Sequence, residues 1–463
     1  MVNAGPAAAN GPLASTLTGF DRAEVQPIPM RRDASPAKST NDGRFAALRG
    51  SVSWKIALAP HPGGEELDEQ IRKSQNTIRK SADPRAYLER LGWLYVAKAR
   101  ASHDPGFYKL AEHCAMALDA TDSRSLEALL LRGHVAQSLH RFKEAESIGR
   151  ELVARRELAF DHGLLGDALA DQGKLPEAIA QYQQMVDLRP DLQSYSRVAH
   201  MRWLKGDLAG AIEAAELAVS AGSPADAESA AWASTRLAGH RFQLGDIPKA
   251  ESACKAALQF MTDYPPALLL QGRILLHTGR FADAAAIIRR AAERNPLPEY
   301  QWALADALRA ANRTNEAIAV EAQLTRTGAA DDPRTFALFL ATRGCQVSLA
   351  LRLAERELKE RADVFTHDAL AWAQFNAGRS EEAWTAMELA LAEGTRDARL
   401  YLHAGVIAAQ LRRDDAPHWL AKAEELERLL LPSERRRLDD ALQFFNRKPG
   451  QPGASLSERA DAH

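Results

Sequence analysis

Cysteine is scarce in this chain: three residues in 463, Cys114, Cys254 and Cys345. An odd, widely spaced set argues against a disulfide framework. Cys114 and Cys254 sit among apolar residues and read as small buried hydrophobes. Neither charge is in excess, with 59 Lys and Arg against 61 Asp and Glu and a formal net charge of −2. That balance argues against a general nucleic-acid or anionic-membrane surface, which needs a basic excess. No run of about 18 apolar residues occurs, so no transmembrane helix is expected. Absent too are a phosphate loop, a GxGxxG fingerprint, CxxC, HExxH and a Gly-x-Ser-x-Gly elbow. The expectation is a protein without enzymatic activity, cofactor or metal. The opening stretch, MVNAGPAAANGPLASTLTGF, has neither a basic start nor a sustained apolar run. No signal peptide is therefore expected. The expected location is cytoplasmic, or periplasmic if a leader is missing from this chain.

What the chain does have is a period. Alanine returns at 111, 145, 178, 211, 250, 284, 317, 350, 383 and 416. All but one of the steps are 33 or 34 residues; the step from Ala211 to Ala250 is 39. A fixed period near 34 marks a repeat array whose units bury their apolar faces on one another. Within a unit, Leu165, Gly166 and Leu169 are followed by Ala178, Tyr182 and Pro190, and Gly272 is followed by Ala284, Ile288 and Pro296. Near the start, Leu88, Leu91, Gly92 and Tyr95 give the first half of the same pattern. Small residues at 133, 166, 199, 238, 272, 305, 371 and 404 let a second helix approach the first. Five residues before most of the alanines stands a turn residue: Gly173, Gly206, Gly245, Gly279 and Gly378, or Asn312, the next best tolerator of left-handed φ.

This pattern resembles the tetratricopeptide repeat, W-x2-L-G-x2-Y…A-x3-F…P, over roughly residues 85–430. The fold expected is all-α: an α-α superhelix (solenoid) of about ten helix pairs with a C-terminal capping helix. The layout expected is a disordered segment 1–43, a lead-in 44–84 with one polar helix at Glu65–Ser81, the array 85–430, a capping helix 431–447 and a tail 448–463. Ser433 is the expected N-cap of that last helix. The surplus in the long step falls at Ser220–Ala227 and reads as a linker. The resemblance also extends to bacterial proteins of this repeat class, some cytoplasmic, some exported and tied to envelope assembly.

The resemblance implies that first helices line a concave groove through the second, fifth, ninth, twelfth and thirteenth positions of each unit. Those positions hold Trp203, Trp302, Trp372, Phe375 and Tyr401, aromatics of the kind that dominate protein recognition. The same aromatics could instead pack within their own repeats. Among them stand Arg273, Arg309, Asp306, Asp167, His134 and His200. His134, Asp167 and His200 form a row at a spacing of 33. The row gives a minor reading as a metal-binding or delivery site. A subclass of the family clamps a terminal carboxylate with Lys and Asn at positions five and nine; here Glu89 and Trp93 stand there, so that role is not expected. Arg435–Arg437 and Glu424–Glu427 read as solvated charge. The leading function is a scaffold binding an extended peptide or helix of another protein in the groove. The alternative is an RNA-binding helical-repeat protein. The balance of Asp167, Asp171, Asp306 and Asp368 against Arg273, Arg309 and Arg343 argues against RNA.

Overall fold

The computed structural model describes residues 43–122 and 125–446. The sequence readings for the first 42 residues and for 447–463 lie outside them. Among the described residues there are twenty-four α-helices and no strand. None is long and apolar enough to cross a membrane.

Twenty of these helices form ten successive antiparallel pairs. They run Arg85–Ser102 with Gly106–Thr121, Leu126–Ser138 with Phe142–Arg156, Ala159–Asp171 with Leu175–Leu188, Leu192–Leu204 with Leu208–Ser220, and Ala227–Leu244 with Ile247–Phe260. They continue Pro265–His277 with Phe281–Arg294, Pro298–Ala310 with Thr314–Asp331, Pro333–Thr342 with Val347–Leu358, Val364–Asn376 with Ser380–Leu391, and Ala398–Gln410 with Ala416–Glu425. Each pair owes its geometry to the periodic residues. All ten recurring alanines are fully buried, because a larger side chain there would push the two helices apart. The predicted turn positions are left-handed, from Gly173 at φ 74° to Gly245 at 88°, with Asn312 at 59°. The long step does not build a long linker. A 3-10 turn, Pro224–Asp226, takes three residues, and the helix Ala227–Leu244 runs 18 residues against 13 in each of the two first helices before it.

Three helices precede the array rather than one: Gly43–Gly50, Val52–Ala57 and Glu66–Lys80. Val52–Ala57 forms because Ser51 caps it, accepting a bond from the Trp54 amide. Trp54, Ala57, Ile71 and Ile78 close the apolar face of the first pair against Leu88, Leu91 and Tyr95. The Tyr95 hydroxyl donates to the Ala57 carbonyl at 2.8 Å.

The superhelix is wound tightly enough that its second turn rests on its first. The Gly173 turn of pair three meets Ala362, in the connection between pairs eight and nine. The Gly206 turn of pair four meets Gly394, between pairs nine and ten. The Gly245 turn of pair five meets Arg428, beyond pair ten. The three contacts recur between 183 and 189 residues along the chain, a spacing of five to six pairs. Main chain meets main chain along this seam. The Ala362 amide donates to the Asp171 carbonyl at 3.0 Å. Thr395 Oγ1 donates to the Leu204 carbonyl at 2.6 Å, Gln243 Nε2 to the Arg396 carbonyl at 2.6 Å, and Lys143 Nζ to the Lys359 carbonyl at 2.8 Å.

The last helix, Pro432–Asn446, packs inside the coil against the first helices of pairs seven and ten. Ser433 does not serve as the expected N-cap. Its amide and hydroxyl both donate to Asp306, at 2.8 and 2.5 Å. Buried Glu434 pairs with Arg399 at 2.5 Å and accepts the Leu431 amide at 2.8 Å. Arg437 is not solvated surface: it donates to the Thr342 carbonyl and lies 4.8 Å over the Trp372 ring. The reading of Arg435–Arg437 as solvated charge is therefore corrected at Arg437. The helix buries one side in the coil and leaves Arg436, Asp439 and Phe444 exposed.

Candidate functional site

The inward positions do converge, but most of the coil's lumen is filled by the chain itself. Trp302 is 1% exposed and carries the Arg399 guanidinium 5.1 Å above its ring. Trp372 is wholly buried, stacked on Phe375 at 5.2 Å and on His403 at 4.0 Å, with its Nε1 donating to Thr342 Oγ1 at 3.1 Å. Phe375 and Tyr401 are buried, Tyr401 against Trp419 with Lys422 over its ring. Asp306 is buried and holds Arg343 at 2.6 Å besides Ser433. These five sit in the core that the last pairs and last helix build. They do not line an open groove wall. Arg309 makes a two-pronged pair with Glu321 at 2.6 and 2.7 Å, and Arg273 donates to the Leu429 carbonyl.

The remaining inward residues lie toward pairs one to four and keep partial exposure. His134 packs on Trp93 with ring centres 5.3 Å apart. Trp203 is stacked between partners, on His200 at 5.7 Å and on Phe365 at 5.7 Å, and its Nε1 donates to Gln243 at 2.7 Å. Asp167 accepts two bonds from Arg197, at 2.8 and 2.5 Å, and one from the Tyr182 hydroxyl at 2.9 Å. Its oxygens are therefore taken up by protein donors. No group of three His, Cys, Asp or Glu able to hold a metal occurs among the described residues. That counts against the metal reading of the row.

A cavity of about 520 Å³ remains between pairs three and four and the connection that leads into pair nine. Asp167, Asp171, His200, Tyr182 and Gln137 face it from the first turn of the coil. Arg334, Arg361, Asp363, Phe365 and His367 close it from the second. Arg334 binds both Asp363 oxygens, at 3.2 and 2.8 Å. Burial would raise the Asp363 carboxyl, but Arg334 and Arg361 hold it below its usual value. Asp171 behaves oppositely. Burial pushes it up to about 6, Arg361 pulls it back only in part, and Asp363 and Asp167 add to the rise. Burial takes His200 and His134 down to about 4, so both rings are neutral near pH 7.

Asp167, Asp171 and His200 were readable from register, since they stand on inward positions. Arg361, Asp363 and Phe365 were not. They belong to, or directly follow, a connection five to six pairs further on, and only the pitch of the coil brings them here.

Residues 130–193 and 164–230 match one tetratricopeptide-repeat profile, and 241–305 match a second. No curated protein matches the chain. Among solved structures, the chain is similar to one in the APC/C hetero-tetramer Cut9-Hcn1, at 14% identity, covering 80% of this chain and 67% of that one, with a TM-score of 0.43. It is also similar to yeast Tom70, at 13% identity over 86% and 96% of the two chains, with a TM-score of 0.38. A third is PilF of Pseudomonas aeruginosa, at 16% identity over 49% and 95%, with a TM-score of 0.34. With matched profiles at 130–230 and 241–305, and helix pairs of the same period on either side, this chain is a tetratricopeptide-repeat protein.

Proposed function

We propose that the chain is a non-enzymatic scaffold that takes an extended peptide or helix of another protein into its lumen. The end used is the one its own last helix leaves open, around pairs one to four. Tetratricopeptide repeats in general are protein–protein interaction scaffolds. The observation that carries the reading here is that the concave face already holds a helix, its own. Asp306, Arg399 and Trp372 receive Ser433, Glu434 and Arg437 through hydrogen bonds, an ion pair and ring stacking. Side chains of the same kinds, His134, Asp167, His200 and Trp203, stand half-buried where no such segment lies. Arg273 and Arg309 flank the occupied part. Trp302, Trp372, Phe375, Tyr401 and Asp306 would meet a partner only if the coil opened. An RNA strand is a poorer occupant, because Asp167, Asp171 and Asp363 would face its phosphates.

Site-specific photo-crosslinking tests this. A photoreactive residue at His134 or His200 should trap one partner protein in the native host. The same residue at Leu244 or Ile318, both more than half exposed, should not. Equal trapping at all four positions, or none at His134 and His200, overturns the lumen as the binding site.

A further inference from the structure

We propose that the cavity beside Asp171 is a pocket for one basic side chain, a lysine or arginine of the partner segment, held by the Asp171 carboxylate and the Gln137 side-chain carbonyl oxygen. This rests on the scaffold reading above and deepens it.

Four carboxylates face the cavity, and three have well-made cation partners. Asp167 is held by Arg197, Asp363 by Arg334 and Glu393 by Lys205. Asp171 is the exception. Its nearest cation is Arg361, whose Nε stands 3.3 Å from Oδ1 yet is buried without a hydrogen-bond partner. Its one good side-chain bond comes from Gln137 Nε2, at 2.7 Å on Oδ2. That bond fixes the amide's orientation, because the nitrogen must face the carboxylate. Gln137 Oε1 is then an acceptor, and it is buried without a donor. An unfilled buried acceptor costs about 1–3 kcal/mol. Here one lies beside a carboxylate whose counter-charge, Arg361, is close but not hydrogen-bonded to it, on the wall of a space of small-ligand size. An ammonium offers three donors and no acceptor, and a guanidinium offers five. Leu175, Ala170 and Phe365 line the same cavity and suit the aliphatic stem of such a side chain.

The electrostatics agree. The groups acting on Asp171 are Arg361 and Asp363 from the connection before pair nine, Arg334 from pair eight, and Asp167 from its own helix. Burial is the largest cause, and these charges only modify it, leaving the carboxyl raised to about 6. A bound cation stabilises the ionised form, so cation binding should strengthen as pH rises through about 6.

The test uses the full chain and blocked single residues as probes: N-acetyl-lysine methylamide, N-acetyl-arginine methylamide, and N-acetyl-norleucine methylamide as the uncharged control. Binding is followed by calorimetry and by the Gln137 side-chain amide resonance. The basic probes should bind, more tightly at pH about 7 than about 5, and the control should not. Asp171→Asn should weaken the basic probes by about tenfold or more, the scale of one hydrogen bond to a charged group. Gln137→Met, which keeps the volume and removes the acceptor, should weaken them several-fold and covers the case in which Asp171→Asn does not fold. Equal binding of basic and neutral probes, or unchanged affinity in a folded Asp171→Asn, overturns the pocket. So does putrescine binding tenfold tighter than either peptide probe, which assigns the space to a free amine. The two readings fail separately. Partner trapping at His200 that is unaffected by Asp171→Asn sinks the pocket and leaves the scaffold. Basic probes that bind while no partner is trapped do the reverse.

Discussion

Replacing Gly206 with alanine isolates the contact that closes the coil. Gly206 has φ +78°, and a Cβ there would stand 2.5 Å from the Gly394 carbonyl oxygen. Gly173 is its counterpart one pair earlier, at φ +74° with the Ala362 carbonyl oxygen 2.4 Å from the same point. Gly279 and Gly378 have φ of +75° and +77° and nothing within 4 Å. All four substitutions pay the left-handed penalty, about 1–2 kcal/mol for a non-glycine residue. Only Gly206 and Gly173 also drive a methyl into main chain, which cannot rotate away. Overpacking of that kind adds about 1–3 kcal/mol, or is relieved by separating the two turns of the coil. The expected result is a greater loss of stability at 206 and 173 than at 279 and 378, measured by urea unfolding. Scattering should show a larger radius of gyration for the first two only. Hydrogen exchange should quicken at the Ala362 amide, which bonds across the seam to Asp171. Four equal losses with unchanged dimensions would refute the closed seam.

Truncation after Leu431 removes the helix whose Arg437 lies over the Trp372 ring, and should shift tryptophan emission to the red; an unchanged spectrum would mean that ring is shielded by something else. Trp372→Ala should lower stability by about 3–5 kcal/mol as a large-to-small core change, with a melting curve as the check. Ala178→Leu should cost about 1–3 kcal/mol through overpacking at a buried helix crossing, and a neutral result would mean the crossing is loose. Stability should fall as pH drops from about 6.5 toward 4, because His134, His140 and His200 are lowered to about 4 and His240 to about 3 by burial. A base depressed in the fold contributes stability that is full above its unfolded value and lost below it. Asp171, raised to about 6, works the other way, losing its contribution as pH rises through that value, and should only soften the trend. A flat urea midpoint across that range would count against the buried histidines.

The alanine period and the turn residues were legible because they act within one pair or between neighbours. Asn312 could be read as a left-handed turn residue from its place five before Ala317, and it is one. The lumen was harder. Register put Trp302 and Trp372 on inward positions, and they do point inward, but register says nothing of what fills the inside. That depends on the small rotation each pair adds to the last. The sum over five to six pairs decides whether the coil stays open like a stretched spring or shuts. No residue in a single repeat carries that sum. Asp171 fell on an inward position too, yet its imperfect pairing shows only once Arg361 is placed beside it.

The seam also changes how the chain must be made. A solenoid with contacts only between neighbours can grow pair by pair, each stabilised by the one before. Here the edges of pairs three to five find their partners more than 180 residues later. During synthesis from the N-terminus, the first of those edges finds its partner only when the chain reaches pair nine, and the last, with the inner wall, only beyond pair ten. The lumen that the finished protein keeps nearly shut is therefore widest on the ribosome. Of all stages in its life, that is when a helper protein, or a misplaced segment of its own, has the freest access to Trp203 and Trp302.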